Sequence, residues 1–470
     1  MKKINIKIAI TILFIGVGVL NSCSNDFLEE TPTDSILISN SILTEEDLVI
    51  AVNGVYNLCQ STSSYGAMIS TLNELSADNA FVSVQNSNRF VNTNDGSYIT
   101  AIDGNIASVW NSLYSIIANC NNVLASENKI ESNANTKHLY AQVRAIRAYS
   151  FFMLVAYFSP NYGEGNQSYG IPLPLTYDIT AKLPRKSVSE VYDQIISDLS
   201  ISIPNFSTQN AVPNTRMNAI AANLLLARVY LFKKDYTNAI AKANLVLNDT
   251  SSILLPSSSV SAFFGLGGES NRETLFQVEY NSADLPGSND SFLATWSTSG
   301  VYKQNFATRD FWNTISSTDV RKNTWFANNA AVNNYPDNPK PIDVRKYLST
   351  SRDIIQFRKT EAIFIKAESE YYSNPTTAAA TLENWVKAYR NASYTIPSTT
   401  GVAVLDEILH QKSIEFFAEG HRWFDLKRNK RQVSKPQTGL LIPSSDKRFV
   451  WPIPQRETLN NPNITQYPGY

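Results

Sequence analysis

One segment of the sequence, residues 216–247, restricts the possible folds more than any other. Its first half carries Leu226, Ala227 and Tyr230 at helical spacing. A lysine-rich turn follows, and Ala239 opens a second apolar face. This pattern is typical of a tetratricopeptide repeat, in which small residues let two antiparallel helices pack closely. One helical pair cannot bury its own apolar face, so we expect further pairs to stack on it. The sequence therefore predicts a mainly α fold with tetratricopeptide-like helical repeats.

Other segments repeat the helical spacing of apolar residues. Thr44, with Asp47 three residues later, forms a capping-box pattern that predicts the start of a helix. We expect residues 136–158 to pair with 187–199, and 358–372 to pair with 376–391. A last helix from Leu405 to about Lys430 is predicted to close the array. The remaining predicted helix spans about 106–124.

Helical periodicity is lost between residues 250 and 356, where serine, asparagine, glycine and proline become frequent. A loop region of this length inside a compact protein is usually functional. Aromatic residues are scattered through it, and each ring either fills the core beneath its loop or faces outward. An outward ring could stack on a sugar while nearby polar side chains bind the hydroxyls. The candidate ligand-binding residues of this loop-rich half are Trp296, Tyr302, Trp312 and Trp325.

The N-terminus is basic and is followed by an apolar run over residues 8–20. A helix of that length reaches about 20 Å, less than the roughly 30 Å of a bilayer core, so the run predicts an export signal. Leu20-Asn21-Ser22-Cys23 resembles a lipobox, at which a bacterial lipoprotein is cleaved and its cysteine acylated. The alternative is ordinary secretory cleavage that leaves Cys23 as a free thiol. We predict a signal peptide over 1–22 and a lipid-anchored tether over 23–40, with Cys23 as the lipid attachment residue.

Charge and metal-ligand content exclude several classes of protein. Without the three lysines of the signal, the chain has 37 basic and 41 acidic residues, a net charge of −4. This balance does not suit nucleic acid. The three histidines lie in neither an HExxH nor a CxxC setting, so no zinc site is predicted. After Cys23 only Cys59 and Cys120 remain, and they either pair or, as we prefer, are buried thiols.

Several separated motifs together resemble the SusD/RagB family of outer-membrane nutrient-binding lipoproteins. Each match is short, but their order and spacing span the whole chain. One departure is Gln411-Lys412, where the family often has arginine. The matching segments are Cys23–Leu28 with Thr31-Pro32, Ala51–Tyr56, Trp110 with Tyr114, Arg144 with Arg147–Tyr149, Glu415–Leu426, Pro452–Gln455 and Pro468–Tyr470.

The resemblance implies an N-terminal helical domain over 41–249 and a C-terminal domain over 250–470. The latter divides into a loop-rich part (250–356), a helical part (357–430) and a tail (431–470). Members of the family sit over a TonB-dependent outer-membrane β-barrel transporter and help to deliver oligosaccharides or, in some cases, peptides. Ligand-contacting residues vary within the family, so none is transferred from it.

Two carboxylates in the strongest motif, Glu415 and Glu419, need a physical explanation. They lie close in sequence to His421, as acid–base chemistry of glycoside hydrolysis would allow. Catalytic carboxylates normally flank a cleft from different elements, whereas these two are predicted on one helix among aromatic residues. We therefore prefer a structural role in which they pair with Arg144, Arg147 or neighbouring backbone.

Three classes of function remain: a nutrient-binding lipoprotein, an exported glycoside hydrolase and a protein–protein adaptor. We predict the first, with no catalytic residue, cofactor or metal. The expected protein is lipid-anchored in the outer membrane, faces the cell surface, binds oligosaccharide and delivers it to a TonB-dependent transporter. A peptide ligand is the alternative within this class.

Overall fold

The computed structural model describes residues 42–207, 214–265, 272–280, 289, 291–349 and 352–470. The predicted signal, the tether and Cys23 lie outside these residues. The protein is mainly helical with short strands, which confirms the predicted fold class. The elements of the first half are α1 (Glu45–Cys59), α2 (Ala67–Ser76), β1 (Ala80–Val82), α3 (Val91–Asn94), α4 (Gly104–Leu124), α5 (Ala134–Phe158), α6 (Val188–Ser202), α7 (Ala219–Phe232) and α8 (Tyr236–Asn248).

The second half alternates short helices and strands before it returns to longer helices. Its elements are α9 (Val260–Phe263), β2 (Thr274–Val278), α10 (Phe292–Trp296), β3 (Asn305–Ala307), α11 (Arg309–Thr314), α12 (Val320–Thr324), β4 (Phe326–Ala327), α13 (Ala330–Asn333), β5 (Asp343–Val344), β6 (Ile354–Arg358), α14 (Thr360–Tyr371), α15 (Pro375–Tyr389), α16 (Val402–Glu415), α17 (Arg422–Arg428), β7 (Val433–Lys435), β8 (Leu440–Ile442) and α18 (Gln455–Asn460).

Side-chain caps fix the starts of several helices. The predicted capping box of α1 is confirmed: the Thr44 hydroxyl accepts from the Asp47 amide at 3.1 Å, and the Asp47 carboxylate accepts from the Thr44 amide at 3.0 Å. Ser187 and Glu190 form the same arrangement at the start of α6. These bonds satisfy amide groups that have no partner within the helix.

The long helices pack in one continuous series, which we call the helical stack. In order, it consists of α4 to α8 followed by α14, α15 and α16, each packed against the next. The predicted pairs α5 with α6 and α14 with α15 are confirmed, and α7 with α8 is the predicted tetratricopeptide-like unit. Helix α5 is buried on every face from Ala145 to Phe158, because it packs against α1, α4 and α6.

The loop region, residues 250–356, is held by short antiparallel ribbons between segments distant in sequence. β1 pairs with β3 so that Ala80 faces Ala307 and Val82 faces Asn305. β2 pairs with β6, and β4 pairs with β5. The β1–β3 ribbon therefore joins the first half of the chain to the loop region.

The predicted single helix from Leu405 to about Lys430 is wrong, because the chain forms α16 and α17 with a turn between them. Ala418 and Gly420 in this turn have positive φ angles of 60° and 85°. A Cβ on Gly420 would lie 3.1 Å from the Ser70 Cα, so glycine permits close packing on α2. The turn moves Glu419 off the axis of α16.

Cys59 and Cys120 are both buried and free, as preferred from the sequence. Across the part of the chain that the structure describes, no helix combines the length and apolarity needed to cross a bilayer.

Candidate functional site

Two loops meet at one end of the β1–β3 ribbon and form what we call the Tyr302 surface, residues 83–90 and 301–304. The first loop leaves β1 and the second enters β3, so the antiparallel register places them side by side. The Ser83 amide donates to the Gln304 carbonyl at 2.8 Å, which extends the ribbon by one bond. The position of this surface thus follows directly from strand pairing.

The side chain of Gln304, on the second loop, forms hydrogen bonds with the first loop. Its side-chain carbonyl accepts from the Ser87 amide at 3.0 Å and from the Ser87 hydroxyl at 2.6 Å. Its amide nitrogen donates to the Arg89 carbonyl at 2.6 Å. Gln304 is 0% exposed, so loss of these bonds would leave its buried side-chain amide unsatisfied.

Arg89 lies across the aromatic part of the surface. Its guanidinium carbon is 4.8 Å from the centre of the Tyr302 ring and 6.0 Å from that of Phe90, within the range of cation–π attraction. Both rings are half-buried, whereas Val84 and Val301 on the same loops are exposed. The surface therefore offers apolar area beside a guanidinium group and the polar side chains of a loop rich in asparagine and serine.

Unusual backbone conformations are concentrated on this surface. Asn88, Phe90 and Lys303 have positive φ angles of 62°, 59° and 49°. For a bulky residue such as phenylalanine this region is sparsely populated, so the conformation persists only where surrounding contacts enforce it. The bonds to Gln304 provide such contacts on both sides of the loop.

A second set of bonds holds the loops from the other side. The Asp337 carboxylate accepts from the Ser83 hydroxyl at 2.5 Å and from the Val84 amide at 3.0 Å. The Tyr335 hydroxyl donates to the Lys303 carbonyl at 2.6 Å. Burial raises the pKa of Tyr335, which keeps this hydroxyl protonated as a donor. The surface is therefore held in place by several independent contacts.

Two of the four predicted ligand-binding aromatics are core residues. Trp296 is 0% exposed, and its indole nitrogen donates to the Thr71 hydroxyl at 2.9 Å. Trp325 is 1% exposed, donates to the Val260 carbonyl at 3.2 Å, and has the Lys346 ammonium 4.3 Å from its ring. Neither ring presents a face to a ligand in this conformation, because each fills the core beneath its loop.

The other two predicted aromatics are half-buried, but the structure does not bring them together. Tyr302 lies on the surface described above. Trp312 lies on α11 against Lys322, whose ammonium is 4.3 Å from the ring centre and whose carbonyl accepts from the indole nitrogen at 3.3 Å. Sequence reasoning missed Arg89 and Phe90. The only local signal was a single aromatic residue within a polar run, residues 85–90.

The carboxylates of the strongest motif form a buried ion network. Glu415 is 0% exposed and accepts from Arg390 at 2.7 and 2.8 Å, Arg358 at 2.8 Å and Arg321 at 3.2 Å. Burial alone would raise the pKa of Glu415, but these three arginines outweigh burial and hold that pKa well below its usual value. Glu415 is therefore an anion fully occupied by its partners.

Glu419 completes the network from the turn after α16. It accepts from Lys346 at 2.8 Å and from Arg358 at 2.9 Å. The predicted partners were wrong: Arg144 pairs with Glu127, and Arg147 pairs with Asp198 at 2.6 Å. The sequence predicted a structural role for Glu415 and Glu419. It did not predict their partners, because these depend on long-range packing. Among the residues with described positions, no group of three or more His, Cys, Asp or Glu side chains could hold a metal ion.

Comparisons with known proteins agree along most of the chain. A family model described as "Starch-binding associating with outer membrane" matches residues 26–231, and one described as "SusD family" matches residues 270–470. The chain is 25% identical to the SusD-like protein P38 of Formosa agariphila over 538 aligned positions that cover all of both chains.

Solved structures share the fold. A SusD superfamily protein of Bacteroides vulgatus superposes with a TM-score of 0.81 at 24% identity, over 91% of this chain and 100% of that one. A structure described as a laminarin-binding SusD-like protein superposes with a TM-score of 0.73 at 17% identity, over 91% and 100% of the two chains. Sequence and architecture thus lead to the same group of proteins.

Proposed function

The chain belongs to the SusD/RagB family, and from this premise we propose that it is a surface-exposed outer-membrane lipoprotein that captures oligosaccharide. The captured glycan is delivered to a partner TonB-dependent transporter. The Tyr302 surface is the proposed binding site. The observation that carries this assignment is the Arg89 guanidinium lying 4.8 Å from the Tyr302 ring in loops fixed by buried Gln304.

The chemistry of the surface suits a sugar. The half-buried ring of Tyr302 and the exposed side chains of Val84 and Val301 offer apolar contact to the C–H face of a pyranose. Asn86, Asn88 and Arg89 on the adjacent loop can bind hydroxyl groups. Loops already fixed by internal hydrogen bonds lose little conformational freedom on binding, which favours affinity. The printed descriptions of the starch-binding family model and of the laminarin-binding relative support a glycan ligand.

The proposed role is binding rather than catalysis. The acidic residues of the strongest motif, Glu415 and Glu419, are enclosed by arginines and a lysine with which they form ion pairs. Their positions suit a structural network that holds the loop region on α16. The description of the matching family model associates these proteins with the outer membrane, which supports the proposed location.

A glycan array with parallel measurement of glycan consumption tests this proposal. We expect one glycan class to bind without being consumed, and Tyr302→Ala to weaken that binding at least tenfold, or by about 1.4 kcal/mol. Tyr177→Ala, which removes another half-buried tyrosine from a different loop, is the matched control and should bind normally.

Other outcomes would contradict the proposal at different points. Consumption of the glycan would replace the binding role with a hydrolase. Binding of peptides but of no glycan would favour the peptide-binding alternative. Equal affinity of the wild type and Tyr302→Ala for a bound glycan would move the site away from this surface.

The proposed lipid anchor has a separate test. Cys23→Ala should move the protein from the outer-membrane fraction to the soluble fraction, because several acyl chains on one cysteine provide stable membrane attachment. Continued membrane attachment of this variant would show that lipid on Cys23 is not the only tether.

A further inference from the structure

A small recess lies at the edge of the Tyr302 surface, and we call it the Arg89 recess. It has a volume of about 30 Å³, which is room for about two water molecules. It lies between Arg89, the start of α2, and the side chains of Ser291 and Thr295. The recess is therefore directly beside the guanidinium group that contacts Tyr302.

The positive end of helix α2 borders this recess. The first amide groups of a helix have no partner within it, and their partial positive charge attracts anions. Gly66 precedes α2 without a side-chain cap, and the first turn contains no acidic residue. A larger residue cannot replace this glycine, because a Cβ would lie 2.5 Å from the Thr62 Cα. Ala67 and Met68, the first two residues of α2, line the recess.

Buried hydroxyl groups add hydrogen-bond donors to the recess. Thr295 is 4% exposed, and its hydroxyl forms no hydrogen bond with the described residues. The Thr71 hydroxyl accepts from the Trp296 indole nitrogen at 2.9 Å, and the Ser291 hydroxyl accepts from the Ala294 amide at 3.3 Å. A hydroxyl oxygen that already accepts one bond still has its hydrogen to donate. The hydroxyls of these lining residues can therefore donate to one shared ligand.

The charges around the recess indicate an anion. The Arg89 guanidinium donates to the Asn289 carbonyl at 3.1 Å, which holds it at the rim. No aspartate or glutamate lines the recess among the residues whose positions are described. The two loops of the Tyr302 surface carry Arg89 and Lys303 and no acidic residue. A negatively charged group that only accepts hydrogen bonds fits these surroundings better than a neutral hydroxyl does.

We propose that the glycan bound at the Tyr302 surface carries an anionic group, the carboxylate of a uronic acid or a sulfate ester, and that this group occupies the Arg89 recess. This assignment, which rests on the proposed function, narrows the ligand to acidic glycans. The sugar ring packs on Tyr302, and the anionic oxygens accept from Arg89, from the start of α2 and from the lining hydroxyls. The two oxygens of a carboxylate take the places of about two water molecules.

An array of neutral, uronate-containing and sulfated oligosaccharides gives the first test, with the exported chain carrying Cys23→Ala. We expect acidic glycans to bind. The bound glycan is then compared by titration calorimetry with two derivatives, one with its carboxylates reduced to alcohols and one with its sulfate esters removed. The treatment that weakens binding by about tenfold or more identifies the anionic group.

Variants of the recess test where the anionic group binds. Arg89→Gln and Thr295→Val should each weaken binding of the acidic glycan by about tenfold or more, and should affect the neutral derivative much less. Thr295→Val should keep the wild-type midpoint of thermal unfolding, because this hydroxyl has no partner among the described residues. Thr274→Val on β2 is the matched control: Thr274 is also 4% exposed and its hydroxyl is also unpaired, but it lies outside the recess, so the affinity should not change.

Three results would overturn the acidic-glycan assignment. They are binding confined to neutral glycans, neutral derivatives that bind as tightly as the acidic glycan, and recess variants that weaken both forms equally. Glycan binding itself remains in each of these cases. Absence of all glycan binding, or equal affinity of the wild type and Tyr302→Ala, would instead reject the proposed function, so the two failures are distinguishable.

Discussion

The helical stack and the described part of the loop region are both well packed, but different interactions hold them. Helix α5 is buried on every face from Ala145 to Phe158, and buried ion pairs among the central helices of the stack, such as Arg147 with Asp198 and Arg228 with Glu361, join two residues each. In the loop region, Arg321 and Lys346 are buried and reach Glu415 and Glu419 at the end of α16. The stack is thus held by distributed packing, and the loop region by a few charged anchors.

Because of this difference, a single substitution should affect the stability of the two regions differently. Apolar packing is spread over many contacts, so one substitution removes a small share of the total. A buried ion network concentrates its energy, because removing one partner leaves the others charged and out of water. The packing of the loop region on α16 therefore depends on few residues.

The strongest test of this comparison is Glu415→Gln. The substitution leaves Arg321, Arg358 and Arg390 without their shared anion, and we expect the free energy of unfolding to fall by about 3–5 kcal/mol. Chemical denaturation measures the loss. Glu127→Gln is the matched control, because its partnership with Arg144 is partly exposed and should be worth at most about 1 kcal/mol. Equal losses of unfolding free energy in both variants would contradict the view that a few charged residues hold the loop region.

A medium effect is expected from Gln304→Leu, which cuts the bonds between the two loops of the Tyr302 surface. The lost bonds to Ser87 and Arg89 should lower the free energy of unfolding by about 1–3 kcal/mol. Hydrogen exchange should rise at the Ser87 amide while α5 remains protected. Gln455→Leu, at an exposed glutamine of α18, serves as the control. Unchanged exchange at Ser87 in Gln304→Leu would show that Gln304 does not hold the loop.

The smallest expected effect concerns pH and Glu74, a buried residue of α2. Burial raises the pKa of Glu74 from 4.5 to about 8. Below pH 4.5 the side chain is protonated in both states. Between 4.5 and 8 the unfolded chain releases the proton while the folded chain keeps it, so stability falls as pH rises.

The glutamine in Glu74→Gln cannot ionise, so the variant lacks this loss of stability with rising pH. The stability advantage of the variant over the wild type should therefore grow by about 1.4 kcal/mol for each pH unit within that interval. Denaturation of both proteins at pH 6 and pH 7 measures the difference. Glu46→Gln, at an exposed glutamate of α1, is the matched control variant. An advantage that stays constant with pH would mean that Glu74 is ionised in the folded protein.

Helix positions were largely predictable because their signals are local. Thr44 and Asp47 gave the start of α1, and the apolar spacing of residues 136–158 gave most of α5. The break between α16 and α17 was missed, because Glu415 to Asp425 has acceptable helical spacing. Gly420 was the one local sign of a turn, and its close approach to Ser70 explains it only once α2 is in place.

The candidate site was predicted in part. Tyr302 does lie on a surface, whereas Trp296 and Trp325 are in the core. A tryptophan in a polar loop has the same local sequence whether it faces water or covers the core. Its exposure depends on which distant segment packs against it, as Thr71 does for Trp296.

The sequence by itself determined the helical repeats, their pairing and the family, because apolar periodicity, caps and motif order are properties of neighbouring residues. Only the tertiary structure decided which aromatics are exposed, which arginines hold Glu415, and that Arg89 lies on Tyr302. Those contacts join residues far apart in the chain, and their energies depend on burial, which no local pattern specifies. The helices follow from local preferences, and the Tyr302 surface follows from how the short β1–β3 ribbon brings distant loops together.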